Sequence, residues 1–208
     1  MSHISRFAVV VAMSIAFLAQ VRPAAAAVIV MNGGLAQSCY EMTRSVAMGE
    51  QIDPTIQLTG SMIAISALDI CTMAIQDNDL VGRDLAGTYN NRGVLYFAKA
   101  MFTEAVADFE EARRIDPAIA EIHVNHGASM VALKRWAEGA ASLDKGIAMD
   151  PVEPEKAYYN RAIAREELGN VTGAYYDYLK ASELKPEWEQ PKMQLTRFTV
   201  RKKGEPAK

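Results

Sequence analysis

The sequence is poor in the residues on which most catalytic and metal sites depend. It has three histidines and two cysteines in 208 residues, and Cys39 and Cys71 are too far apart to form the Cys-x-x-Cys motif of redox enzymes. It also lacks a glycine-rich phosphate loop and a Gly-x-Ser-x-Gly nucleophile elbow. These absences argue against a thiol-redox enzyme, a nucleotide-dependent enzyme and a serine hydrolase. The sequence therefore predicts no catalytic residue and no cofactor.

The chain also lacks an excess of basic residues. Its formal net charge is −3. Without residues 1–27, which contain two arginines and no acid, 20 basic residues face 25 acidic ones, and the net charge becomes −5. An acidic chain without a basic stripe is a poor candidate for binding nucleic acid through phosphates. Basic residues gather only at the end, which we interpret as a solvated tail, with surface anchoring as the alternative: Arg197, Arg201, Lys202, Lys203 and Lys208.

Residues 1–27 have the pattern of a secretory signal peptide. Arg6 precedes an apolar run over residues 7–18, and a run of small residues follows over 24–27. The apolar run is shorter than the roughly 20 residues that span a bilayer. We expect cleavage within the small-residue run, export to the bacterial periplasm and no membrane contact afterwards. An uncleaved membrane anchor is the alternative.

The two cysteines are expected to pair if the protein is exported, since exported proteins meet an oxidising environment. Cys39 and Cys71 lie on two successive predicted helices. Antiparallel packing of those helices would bring the two side chains together. We therefore predict a structural disulfide between them.

Residues 86–186 contain three copies of one pattern. The prolines that close the copies, Pro117, Pro151 and Pro186, lie 34 and then 35 residues apart. Within each copy, apolar residues recur three and four positions apart in two stretches, as on one face of a helix. Proline stops the second helix because it lacks the amide proton and clashes with the preceding turn. Such a repeat is typical of a helical array whose units bury their apolar faces against neighbours.

These copies resemble the tetratricopeptide repeat family, whose pattern combines small residues at helix crossings with aromatic residues and a closing proline. The first copy matches the pattern fully, at Tyr89, Gly93, Tyr96, Ala105, Phe109, Ala112 and Pro117. The second copy has glycine at Gly139 and Gly146 instead of alanine, and the third has Arg165 instead of an aromatic residue. The resemblance implies an all-α fold, a right-handed superhelical array of antiparallel helix pairs known as a TPR solenoid.

The repeat pattern also predicts how the chain is divided. We predict a signal peptide over 1–27, an N-terminal linker over 28–34, a degenerate helical hairpin over 35–80, repeat units over 86–119, 120–154 and 155–188, a C-terminal capping helix over 187–200 and a disordered tail over 201–208. The hairpin is inferred because residues 67–74 align with residues 105–112. Terminal units of such arrays are commonly atypical because one of their faces meets water.

One histidine pair has a spacing that could suit a metal ion. His123 and His126 are three residues apart on a predicted helix. However, sister copies hold tyrosine or arginine at these positions, and no third ligand follows at a suitable spacing. We interpret both histidines as packing residues and predict no metal site.

The resemblance implies that the first helix of each unit lines a concave groove. Asparagine recurs at one position in all three units, as Asn91, Asn125 and Asn160. An amide both donates and accepts hydrogen bonds. The row therefore suits the backbone of an extended peptide, and it equally suits bonds between neighbouring units that fix the superhelix. The predicted groove residues are Asn90, Asn91, Val94, Phe97, Asn125, Val131, Lys156, Tyr159 and Asn160.

Together these observations predict a function in binding rather than in catalysis. We predict a non-catalytic adaptor or assembly factor of the bacterial envelope, whose partner is another protein or a peptide segment. One alternative is a structural module that associates with itself into a homo-oligomer. Another is an accessory subunit of an envelope enzyme.

Overall fold

The computed structural model describes residues 34–49, 66–77 and 79–200, together with the backbone of residues 7–11, 55–58, 61–64 and 201–202. Its elements in chain order are β1 (Phe7–Val11), α1 (Leu35–Met48), β2 (Thr55–Leu58), β3 (Ser61–Ala64), α2 (Ala67–Ile75), α3 (Gly82–Ala98), α4 (Phe102–Ile115), α5 (Ala120–Ala132), α6 (Trp136–Ala148), α7 (Pro154–Glu167), α8 (Val171–Leu184), α9 (Glu189–Leu195) and β4 (Phe198–Lys202).

The three sequence repeats form three helix pairs: α3 with α4, α5 with α6, and α7 with α8. The second helix of each pair contacts the first helix of the next, and α5 contacts both α3 and α7. This arrangement confirms the predicted all-α array of antiparallel helix pairs. The first helices are neighbours along one side of the array, and we call the surface formed by α3, α5 and α7 the inner face.

Small residues allow the two helices of a pair to approach closely, as the repeat pattern predicts. A Cβ atom added to Gly127 of α5 would lie 2.6 Å from Cγ of Leu143 on α6. One added to Gly93 of α3 would lie 2.7 Å from the ring of Phe109 on α4. Side chains larger than hydrogen would therefore push each pair apart.

Neighbouring units share their hydrophobic cores. Ile122 of α5 is fully buried in the cluster that contains Val94 of α3 and Phe109 of α4. Ala157 of α7 likewise lies in the cluster of Leu143 from α6. Because each unit completes the core of the unit before it, the array gains its stability from stacking.

The N-terminal hairpin is joined by a disulfide. Cys39 of α1 and Cys71 of α2 are bonded across 32 residues of sequence and are fully buried, with their Cα atoms 4.8 Å apart. Leu95 of α3 packs against them and attaches the hairpin to the first repeat unit. The connection between α1 and α2 includes an antiparallel ribbon of β2 and β3, which the sequence analysis did not predict.

The C-terminal end corrects the sequence prediction. Instead of a capping helix through residue 200, α9 ends at Leu195, and β4 pairs antiparallel with β1. Residues 198–200 are one aromatic and two β-branched residues, a composition that favours a strand over a helix. Phe198 is held by aromatic contacts with Tyr175 and Tyr178, at centroid distances of 5.8 and 5.9 Å.

Some predicted segments lie largely outside the described residues. They are the signal peptide apart from β1, the linker over 28–34 and the tail beyond residue 202. Among the helices that the structure describes, none is long and apolar enough to cross a membrane.

Candidate peptide-binding face

The predicted groove residues lie deeper than the sequence analysis implied. Eight of the nine are buried, namely Asn90, Asn91, Val94, Phe97, Asn125, Val131, Tyr159 and Asn160, and Lys156 alone is partly exposed. These eight residues therefore lie beneath the inner face and do not form its solvent-exposed surface.

The apolar members are buried because they belong to the hydrophobic clusters. Val94 and Phe97 lie in the core of the first unit, where Phe97 meets the ring of Phe102 edge to face at 5.1 Å. Val131 faces the second helix of its own unit, since a Cβ added to Gly139 would lie 2.9 Å from its Cγ2. The prediction that Phe97 and Val131 line the groove is wrong, because close helix crossings draw both residues into the core.

The row of Asn91, Asn125 and Asn160 forms a hydrogen bond between units at one of its positions. Asn125 of α5 donates from Nδ2 to Oδ1 of Asn90 on α3, over 2.9 Å. This amide reaches from the second unit to the first. The packing interpretation is therefore correct for Asn125.

The same row contains polar atoms without a partner. At the position equivalent to Asn90 and Tyr159, the second unit has the apolar Val124. Asn160, which corresponds to Asn125, has no hydrogen-bond partner for Oδ1 among the described residues. In that part of the chain Nδ2 of Asn90 and both amide atoms of Asn91 also lack partners. Such atoms cost about 1–3 kcal/mol each when they are buried and unsatisfied.

Charged side chains form an ion pair at each end of α7. Lys156 pairs with Glu153 at 2.7 Å, both being partly exposed. Arg197 pairs with Glu166 at 2.6 Å, and the hydroxyl of Tyr178 donates to the same carboxylate over 3.2 Å. Burial and the neighbouring Glu166 raise the pKa of Tyr178, so the phenol remains protonated.

Three polar clusters connect successive units at equivalent positions of the repeat. The first cluster comprises Thr72, Arg92 and Asp108, the second comprises Glu110, His126 and Ser142, and the third comprises Asp144, Arg161 and Asp177. In each cluster the central residue contacts the last residue within its own unit and the first residue in the preceding one.

The first and third clusters contain ion pairs between a partly buried arginine and a buried aspartate. Arg92 donates two hydrogen bonds to Asp108, at 2.8 and 2.7 Å, and Arg161 does the same to Asp177. Arg161 also reaches Asp144 at 2.7 Å. These pairs were not predicted, although arginine followed by aspartate 16 residues later in two of the three copies is a sequence signal that could have revealed them.

The second cluster lacks an arginine–aspartate pair and explains the histidine pair. Nδ1 of His126 lies 2.9 Å from Oγ of Ser142, whose hydroxyl donates to the backbone oxygen of His123. Nε2 of His123 contacts the backbone oxygen of Pro117 at 3.0 Å. Both histidines are buried packing residues, as predicted. Within the described residues no group of three side chains is placed to hold a metal ion.

Comparisons with known proteins agree with this architecture. Residues 86–119 match the family model described as tetratricopeptide repeat. The chain is similar to the DnaJ homolog subfamily C member 7 homolog of Dictyostelium discoideum, with 32% identity over 96 residues. That match covers 44% of this chain and 18% of the relative, so the chain spans less than a fifth of the relative's length.

Two solved structures share the fold. One is the first TPR of Spaghetti (RPAP3) bound to the HSP90 peptide SRMEEVD, with 24% identity, a TM-score of 0.52, and coverage of 56% of this chain and 91% of that one. The other is the MamA RS-1 ArsTM double mutant, with 17% identity, a TM-score of 0.58, and coverage of 78% and 82%. At these identities the likeness concerns the fold.

Proposed function

We propose that this protein is a non-catalytic adaptor or assembly factor of the bacterial envelope whose inner face binds an extended segment of another protein. A TPR fold of similar architecture, that of Spaghetti (RPAP3), holds an HSP90 peptide. Helical arrays of this type present long concave surfaces suited to extended ligands. Both points favour a binding role over a catalytic one.

The observation that carries the proposal is the set of buried amide atoms on α3 and α7 that lack a hydrogen-bond partner among the described residues. Nδ2 of Asn90 is a donor and Oδ1 of Asn160 is an acceptor, and in the described chain neither has a partner. A peptide backbone offers one acceptor and one donor per residue. An extended segment along α3, α5 and α7 would satisfy both kinds of atom, provided that the inner face opens slightly to admit it.

Lys156 supplies the accessible contact point of this face. It is the predicted groove residue that remains partly exposed, and its present partner Glu153 lies only three residues away on the surface. A surface ion pair of this kind contributes about 0–1 kcal/mol, so little is lost when Lys156 turns towards a ligand. We therefore use Lys156 as the position from which to detect the partner.

The binding test places a photo-crosslinking amino acid at position 156 and, as a matched control, at Lys145 on the outer helix α6. Lys145 is also a lysine and is exposed, but it lies away from the inner face. We expect irradiation in cells to capture a partner from position 156 and not from position 145. A synthetic peptide copied from the captured segment should then bind the purified protein in calorimetry.

The outcomes separate the proposed face from other surfaces. Equal capture from both positions, or a captured peptide that does not bind the purified protein, would show that the inner face is not the binding surface. Replacing the row asparagines together is a weaker test. Because they are buried, those substitutions also change stability.

The envelope location is proposed from residues 1–27 alone, which have the signal-peptide pattern. It is tested by N-terminal sequencing of the protein isolated from a periplasmic extract. We expect the mature chain to begin just after the small-residue run over 24–27. A chain that retains Met1 and remains in the cytoplasmic fraction would contradict the location without affecting the binding proposal.

A further inference from the structure

The second polar cluster differs from the other two in its central residue, which is a histidine instead of an arginine. Arg92 and Arg161 are each bound by a buried aspartate, whereas the equivalent His126 is bound by the hydroxyl of Ser142. Arginine keeps its proton at every physiological pH, but histidine is the side chain that ordinarily titrates between pH 5 and 8. The joint between the first and second units therefore has a central residue whose charge can change.

Hydrogen bonding places the proton of neutral His126 on Nδ1. The hydroxyl of Ser142 donates to the backbone oxygen of His123 over 3.1 Å, so its oxygen accepts from His126. Nε2 then carries no proton. In the part of the chain that the structure describes, Nε2 is buried without a hydrogen-bond partner, and it is the atom that a second proton would occupy.

The surroundings of His126 oppose that second proton. The charged or titratable groups that face it are Glu110 and Arg113 on α4, His123 on α5, and Arg135 and Glu138 at the start of α6. Burial, followed by the charge of Arg113, lowers the pKa of His126 to about 4. Glu110 approaches Nε2 to only 3.8 Å and is half exposed, so solvent screens its attraction.

We propose that the second unit is the acid-sensitive unit of the array. Protonation of His126 loosens the packing of α5 against α6 and, with it, the joint between the first and second units. The first and third units have an arginine at the equivalent position, and because arginine keeps its proton at these pH values, their central residues do not change charge. This inference concerns the stability of the array and goes beyond the proposed binding function.

Proton linkage gives the direction in which the stability of the folded state changes with pH. A histidine whose folded pKa lies below its unfolded value contributes stability above the unfolded pKa, and that stability is lost as the pH falls towards the folded pKa. For His126 the window lies between the ordinary value of 6.5 and about 4. From pH 7 to pH 5 this residue alone is expected to lower the folding equilibrium constant by about 20-fold.

The decisive comparison replaces the second cluster with the residues of its sister units. The full chain and the His126→Arg/Ser142→Asp variant are unfolded in urea at pH 7 and at pH 5. Apart from the carboxylate that Ser142→Asp introduces, the titrating groups are common to both proteins. We expect the wild-type equilibrium constant to fall about 20-fold further than that of the variant. Equal pH dependence in the two proteins would overturn the proposal.

Two measurements on the wild-type chain keep the proposal testable if the variant does not fold. In an NMR titration, the imidazole of His126 should remain neutral down to pH 5, whereas an ordinary pKa near 6.5 would overturn the proposal. In hydrogen exchange at pH 5, amides of α5 and α6 should lose protection relative to those of α7 and α8. Uniform loss across the four helices would also overturn it, since the joint would then not be local.

Discussion

Asn125 donates a 2.9 Å hydrogen bond to Asn90, across the joint between the first and second units. Both side chains are buried, so this bond lies in the interior of the array. It spans the same joint as His126, the residue that follows Asn125 in α5. Helix α5 therefore contributes both to the inner face, through Asn125, and to the joint between units, through His126. Substitutions at the two residues can test these contributions separately.

The amide pair should contribute measurably to stability. We expect Asn125→Ala to lower the free energy of unfolding by about 1–3 kcal/mol, because it leaves Oδ1 of Asn90 buried without a donor. Urea unfolding of both single variants and of the Asn90→Ala/Asn125→Ala double variant gives the coupling energy. Additive effects would show that the bond is not stabilising. Asn91→Ala is the matched control. It should lower the free energy of unfolding by less, since the Asn91 side chain forms no hydrogen bond with the described residues.

The partly buried ion pair of the first unit should respond asymmetrically to substitution. We expect Asp108→Ala to lower the free energy of unfolding by about 1.5–3 kcal/mol, because it leaves the partly buried guanidinium of Arg92 without its carboxylate. The Arg92→Met/Asp108→Leu double variant should recover much of that loss in urea unfolding. Glu111→Ala, which breaks the exposed pair with Arg114, is the control and should change stability by less than about 1 kcal/mol.

The close helix crossing of the second unit should not tolerate a methyl group. Alanine is normally better than glycine in a helix by about 1 kcal/mol. We nevertheless expect Gly127→Ala to destabilise the protein by about 1–3 kcal/mol, because its Cβ would lie 2.6 Å from Leu143. Gly173→Ala meets only the side chain of Asn170 and should cost less. Thermal unfolding of the two variants ranks them, and equal values would contradict the packing argument.

Reduction of the disulfide should loosen the N-terminal hairpin. For a loop closed across 32 residues, we expect reduction to lower the free energy of unfolding by about 3–4 kcal/mol. The comparison is urea unfolding with and without a reductant, with complete reduction verified by thiol alkylation and mass spectrometry. A Cys39→Ala/Cys71→Ala variant should be insensitive to the reductant. If the wild-type chain were also insensitive, the disulfide would not contribute to stability.

The features that the sequence could predict are those that depend on residues close together in the chain. The spacing of Pro117, Pro151 and Pro186 and the small residues at each crossing are local signals, and the structure has the helix pairs that they predict. The disulfide could be predicted because the chain has two cysteines and they lie on successive helices. The capping helix was predicted too long because residues 198–202 form a strand that pairs with β1, a contact between distant parts of the chain.

The sequence by itself determined the repeat, the helix pairs and the positions of the row asparagines, since each depends on spacing within about 35 residues. Only the tertiary structure decided the environment of each row member. Asn125 forms a hydrogen bond with Asn90 of the preceding unit. For Asn160, the preceding unit has the apolar Val124 at the position that Asn90 occupies in the first unit. The physical reason is that burial and hydrogen bonding depend on what the neighbouring unit presents, and the spacing of one repeat does not contain that information.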